Sequence, residues 1–176
     1  MASGKPSPVV DIQSVQAVCQ QCRIQALCLP FGLDKPDLER LDHIIERKRP
    51  LAEGDFVYRS GDPFHALYAV RSGLVKTAIL EKNGDEHIVG FHFPGELVGL
   101  DAIADGRHAC SARALDTTSL CEIPYARLDE LAGRIPGLRH QLFRLMSQEI
   151  HRDEQERRSQ AQASAAPRLA AFLVDV

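Results

Sequence analysis

The sequence predicts an α+β fold: an antiparallel β-roll of jelly-roll type, flanked by short helices and followed by one long α-helix. Three observations carry this. From Pro50 to Pro124 the chain divides into short runs rich in β-branched and aromatic residues, each ended by a turn signal. On both sides of that stretch apolar residues recur at helical spacing instead. The last helical stretch is long and carries two separate apolar stripes.

Residues 1–18 are polar, have no signal-peptide-like apolar stretch, and are expected to be a disordered N-terminus. Residues 19–32 form a cysteine loop, Cys19-Gln-Gln-Cys22-Arg-Ile-Gln-Ala-Leu-Cys28, closed by the break Pro30-Phe31-Gly32. A domain over 33–136 opens with a helix from Leu33 to Glu46. Asp34 is its expected cap, Pro36 fits its first turn, and Leu38, Leu41 and Ile45 share one face. Arg47, Lys48 and Arg49 suit a solvated helix end, where the dipole favours cations.

Strands are expected at Phe56–Tyr58, Leu67–Val70, Leu74–Leu80, His87–Phe91, Ser111–Leu115 and Ser119–Ile123. Turns fall at Ser60-Gly61-Asp62-Pro63, Arg71-Ser72-Gly73 and Asn83-Gly84, the last a hairpin signal between apolar runs. Pro124 opens a helix through Leu131, with Gly133 and Pro136 as punctuation. The long helix is expected over 137–163. Its stripe Leu138, Leu142 and Leu145 suits packing on the roll. A second stripe, Phe143, Met146 and Ile150, suits either a second copy of the chain or a helix buried more deeply. That stripe fails at Asp153 and Arg157, and no large apolar residue follows as far as Ala166. Pro167 then breaks the helix, and 167–176 reads as the start of a C-terminal domain cut inside a larger protein.

A chain of 176 residues with 44% hydrophobic residues has material for a real core. Its net charge of −3 gives no global polyanion-binding signature, and no apolar run has the length of a membrane span. A cytoplasmic location with reduced thiols is expected. Five cysteines, three of them crowded into one loop, favour metal or redox chemistry over a disulfide framework. With Cys121 as a distant fourth, C-x2-C-x5-C allows three readings. These are an iron–sulfur cluster on Cys19, Cys22, Cys28 and Cys121, a zinc site on the same residues, or a Cys19/Cys22 dithiol switch. Three unliganded thiols are the remaining alternative. Cys110 reads as an ordinary buried cysteine. The seven histidines are scattered and no nucleophile–base or carboxylate pair stands out, so no catalytic residues are assigned and an enzyme is not expected.

Several motifs then resemble one family. They are Leu27-Cys28-Leu29-Pro30-Phe31, Leu41-Asp42-His43-Ile44-Ile45-Glu46-Arg47, Ala69-Val70-Arg71-Ser72-Gly73 and Gly95-Glu96-Leu97-Val98-Gly99. Ala114-Leu115-Asp116-Thr117-Thr118, Cys121-Glu122-Ile123-Pro124 and Leu145-Met146-Ser147-Gln148-Glu149-Ile150 continue them. Together they resemble the oxygen-responsive FNR branch of the CRP/FNR superfamily of transcription regulators. The resemblance implies a cyclic-nucleotide-binding-like roll as the sensory domain. It implies a 4Fe-4S cluster on Cys19, Cys22, Cys28 and Cys121 that becomes 2Fe-2S on oxygen exposure, with weakening of the DNA-binding homodimer. Arg23 and Leu27 would flank the cluster, and Phe143, Met146, Ile150 and Asp153 would lie on the dimer helix. The hairpin with Leu80, Glu81, Gly84 and Asp85 resembles a surface loop that touches RNA polymerase.

Three departures stand out. Arg23 replaces a small polar residue, the helix turns polar after Asp153, and no DNA-reading helix follows. Cyclic-nucleotide relatives hold the phosphate with Arg-Ser or Arg-Thr where this chain has His108-Ala109, so no cyclic nucleotide is expected.

Overall fold

The computed structural model describes positions 19, 22, 25, 28–81 and 84–162. The expectations for 1–18, Arg23, Leu27 and 167–176 lie outside these residues.

Helix α1 spans Lys35–Ile44. Asp34 caps it, its carboxylate accepting from the Asp37 N–H at 2.9 Å, with proline in the first turn. The helix is shorter than its apolar spacing predicts. Ile45 turns extended (φ −79°, ψ 126°), and Glu46–Arg47 becomes strand β1 on the edge of strand β8, Ser119–Pro124. Two adjacent β-branched residues, Ile44 and Ile45, weaken the helix there, and the edge of β8 offers backbone partners. The basic run is therefore not a solvated helix end. Arg47 lies opposite Cys121 in the ladder, and Lys48 pairs with Glu122 at 2.6 Å.

The remaining strands are β2 (Phe56–Tyr58), β3 (Ala66–Ser72), β4 (Val75–Leu80), β5 (Glu86–His92), β6 (Leu97–Val98) and β7 (Ser111–Ala114). They form two antiparallel sheets, ordered β1-β8-β3-β6 and β2-β7-β4-β5. This is the α+β jelly-roll-like architecture the strand spacing predicts. The two-residue strands β1 and β6 escape sequence reading because alternation cannot show in two residues.

The first sheet divides two cores. Leu67 and Ala69 of β3, Ile123 of β8 and Leu97 of β6 face a layer containing Leu29, Leu41, Leu128 and Leu138. Their neighbours Val70 and Val98 face the roll interior, with Tyr58, Val75, Cys110 and Ala112. Strand alternation produces this two-sided burial. Each fully buried leucine contributes roughly 1.5–3 kcal/mol by apolar burial. Cys28 and Cys121 both pack on the helical side of the divide.

Helices α2 (Tyr125–Arg134) and α3 (Pro136–Gln162) follow. Leu138 is fully buried, and Leu142 and Leu145 pack beside it, while Phe143 and Ile150 remain 61% and 60% exposed. The deeper-burial alternative for the second stripe therefore does not hold. Among the described residues no helix is long and apolar enough to cross a membrane.

Candidate metal centre

Three backbone bonds, each spanning three residues, link the described positions of the cysteine loop. The Cys22 N–H donates to the Cys19 carbonyl (3.2 Å), Gln25 to Cys22 (3.2 Å), and Cys28 to Gln25 (3.4 Å). Through these bonds Cys19, Cys22 and Cys28 are linked along the loop backbone. The loop is anchored at its end, where the Phe31 N–H bonds the Cys28 carbonyl at 3.0 Å and Leu29 is completely buried among Leu41 and Leu138.

Cys121 comes from β8, in register with Arg47 of β1 on one side and Ala69 of β3 on the other. Cys19 is buried (6% exposed), whereas Cys22, Cys28 and Cys121 are half-buried, and all are free thiols. Burial pushes the Cys28 thiol up to about 12, with the neighbouring sulfurs of Cys121 and Cys22 adding to it. Burial likewise raises Cys19, helped by its bond to Asp42, and raises Cys121 against the opposing pull of Arg47 and Arg71. Cys19 and Cys28 each feel Cys121, and Cys121 feels Cys22, so the four sulfurs share one electrostatic neighbourhood. Among the described residues, no three Cys, His, Asp or Glu side chains close on a point tightly enough to hold a single ion.

Two residues of this neighbourhood escape sequence reading. Asp42 accepts the Cys19 N–H at 2.8 Å and pairs through the same oxygen with the Arg47 guanidinium. Arg47 Nη2 also lies 3.7 Å from the Cys19 sulfur. Burial disfavours the Asp42 carboxylate, but the Cys19 N–H and Arg47 outweigh it and hold the group below its usual range. Residues five apart are not neighbours on a continuous helix. Only the break at Ile45 brings Arg47 back over Asp42.

A third missed residue, Gln141 of α3, is buried and donates to the Cys28 carbonyl at 3.4 Å. Arg144 bonds the Gln141 side-chain oxygen at 2.9 Å and lies 5.0 Å over the Phe31 ring. The loop thus touches the long helix directly.

The other residues singled out from sequence lie elsewhere. Leu80, Glu81, Gly84 and Asp85 sit at an exposed hairpin tip, tied by the Glu81 N–H to the Asp85 carbonyl at 2.8 Å and the Gly84 N–H to the Glu81 carbonyl at 3.0 Å. Phe143, Met146, Ile150 and Asp153 lie along α3. His108 is 4% exposed, stacked on Tyr58 at 3.5 Å and met edge-on by Phe64 at 5.7 Å. Cys110 is buried in the roll interior. His87 is exposed and His92 buried on the same strand.

Residues 48–134 match the family described as "Cyclic nucleotide-binding domain". The chain is 50% identical over 161 residues to the "Transcriptional activator protein Anr" of Pseudomonas protegens, covering 92% of this chain and 66% of that protein. It is 46% identical over 158 residues to the "Fumarate and nitrate reduction regulatory protein" of Salmonella typhimurium, covering 90% of this chain and 63% of that one. Its fold also matches the crystal structure of the Thermus thermophilus Catabolite Activator Protein, with a TM-score of 0.63 and 27% identity, over 73% of this chain and 60% of that one. The chain therefore spans about two thirds of the length of the relatives it matches.

Proposed function

Because this chain belongs to the CRP/FNR superfamily of transcription regulators, on its FNR-type branch, we propose that it is the oxygen-sensing module of such a regulator. In this reading Cys19, Cys22, Cys28 and Cys121 hold a 4Fe-4S cluster. The observation that carries it is that Cys28 and Cys121 pack on the same helical side of the first sheet, with Cys19 and Cys22 linked to Cys28 through the loop's backbone bonds. The donor set fits the group: four free thiols, one for each iron of a cube. One zinc ion needs all four sulfurs about 2.3 Å from a single point, whereas a cube spreads its four thiolates over four irons. A bound cluster would supply an oxygen-labile tie between the loop and β8, and the buried thiols must release their protons to form it.

The protein's own residues carry the consequence. Leu29 and the Cys28 carbonyl rest against α3 through Leu138 and Gln141, so a change in the loop reaches the long helix at its first turns. The outer face of that helix, with Phe143, Met146 and Ile150, fits a second copy of the chain. The polar stretch beginning at Asp153 weakens that seam. The two states of the loop bias dimerisation, and thereby DNA binding and RNA polymerase contact by the intact regulator.

Anaerobic reconstitution tests this reading. The expected product is brown, with broad visible absorbance, about four irons and four sulfides per chain, and a later size-exclusion elution after air. Colourless protein with stoichiometric zinc overturns it.

The same module takes no cyclic nucleotide. Where the phosphate would need an arginine and a hydroxyl, His108 is already enclosed by Tyr58 and Phe64, and Ala109 offers no side-chain donor. Calorimetric titration with cyclic AMP is expected to give no binding heat at micromolar concentration. A saturable isotherm there contradicts the assignment.

A further inference from the structure

We propose that Arg47 and Asp42 act as a positioning pair for the cysteine centre, with Asp42 holding the Cys19 backbone and Arg47 supplying positive charge beside the Cys19 and Cys121 sulfurs. The proposal rests on the iron–sulfur reading above and goes beyond it, since neither residue is a ligand. It begins with the break in α1. Ile45 leaves the helix, β1 pairs with β8, and the register sets Arg47 opposite Cys121. The guanidinium then reaches back to Asp42, whose same oxygen accepts the Cys19 N–H at 2.8 Å. One carboxylate thus fixes both the start of the cysteine loop and the arginine, and one arginine lies between ligands from opposite ends of the roll.

Arg47 has donors beyond those Asp42 uses. Its side chain is only 18% exposed, and among the described residues its buried Nε–H has no partner. A buried guanidinium with an unmade bond is costly unless an anionic acceptor is nearby. Nη2 lies 3.7 Å from the Cys19 sulfur, at the outer limit of an N–H···S bond. Thiolate ligation places net negative charge at this spot, and N–H donors and cations beside such sulfurs stabilise it. A plain surface ion pair would have neither the buried donor nor the sulfur contact. Lys48, the next residue, shows the contrast: its side chain is 68% exposed and pairs with Glu122 at the edge of the sheet.

The test compares Arg47→Met, Arg47→Lys, Asp42→Asn and Lys48→Met in the whole chain. In the anaerobically reconstituted protein, chelator is expected to strip iron about tenfold faster from Arg47→Met than from the unaltered chain. Arg47→Lys is expected to restore most of the retention, and Lys48→Met to behave as the parent. In the metal-free protein, Asp42→Asn is expected to raise iodoacetamide labelling of Cys19 about tenfold while Cys110 stays protected, which also shows that the roll is folded. Should Arg47→Met prove unfolded, Arg47→Lys decides the charge role: parent-like iron retention supports it. Parent-like iron retention in folded Arg47→Met, Arg47→Lys as leaky as Met, or unchanged Cys19 labelling in Asp42→Asn each overturns the proposal. Failure of the parent chain to take up iron and sulfide instead defeats the iron–sulfur reading. The labelling arm still reports on the Asp42 contact in that case.

Discussion

Cys121→Ala is expected to abolish iron and sulfide uptake on anaerobic reconstitution while leaving the roll folded. The cube offers one iron per thiolate, so three cysteines leave one iron without its protein ligand. They also leave the loop untied to β8, which carries the fourth sulfur far along the chain. The fold loses little. Cys121 is half-buried on a strand paired on both sides, and alanine removes one sulfur without stranding a polar group. The metal-free melting temperature should move by no more than about 4 °C, as for a change near 1 kcal/mol. Cys110→Ala is the matched control: its sulfur lies in the roll interior, on the other side of the dividing sheet, and full iron content is expected. Normal anaerobic iron and sulfide in Cys121→Ala would remove that residue from the centre.

Gly73→Ala is expected to be the most destabilising small substitution in the roll. Gly73 has φ +87°, in the left-handed region, and an added Cβ would stand 2.4 Å from the Thr118 hydroxyl and 2.7 Å from the Thr117 carbonyl. Thr118 has no room to yield. It is fully buried, its hydroxyl donates to the Asp116 carbonyl and accepts from the Leu74 N–H, and it shares backbone bonds with Leu51. Strain at positive φ and overpacking each cost about 1–3 kcal/mol, giving a loss of roughly 3 kcal/mol or more. For a chain of this size that lowers the melting temperature by roughly 6–12 °C. Gly106→Ala separates the two causes. Gly106 is also at positive φ (+68°) but has nothing within 4 Å of an added Cβ, so only the backbone strain of about 1 kcal/mol is expected. Equal melting shifts for the two variants would show that the approach to Thr118 costs nothing.

Much of this architecture is legible in the sequence because its signals are local. Alternation and turn residues mark β3, β4, β5, β7 and β8 within a residue or two, and Asp34 marks the start of α1 through its own cap. The two faces of α3 follow from spacing alone, with Leu138 buried and Phe143 and Ile150 exposed. The two-residue strands are invisible, and with them the true place of the basic run after α1. A two-residue strand has no period, and Glu46–Arg47 exists as a strand only because the edge of β8 lies beside it. The same holds for Gly73. The turn signal shows a glycine, but the reason alanine fails there is a threonine distant in sequence.

By itself the sequence determined the roll and the long two-striped helix, and it singled out four cysteines as candidates for one centre. Capping and turn chemistry are written in neighbouring residues. The tertiary structure alone decided what surrounds those cysteines. Asp42 and Arg47 meet because α1 stops at Ile44 and the chain pairs with a distant strand. Gln141 meets the Cys28 carbonyl because Leu29 and Leu138 share one core. These contacts depend on which surfaces are brought together by burial over long stretches of chain, and burial leaves no periodic trace at the single residues that happen to meet.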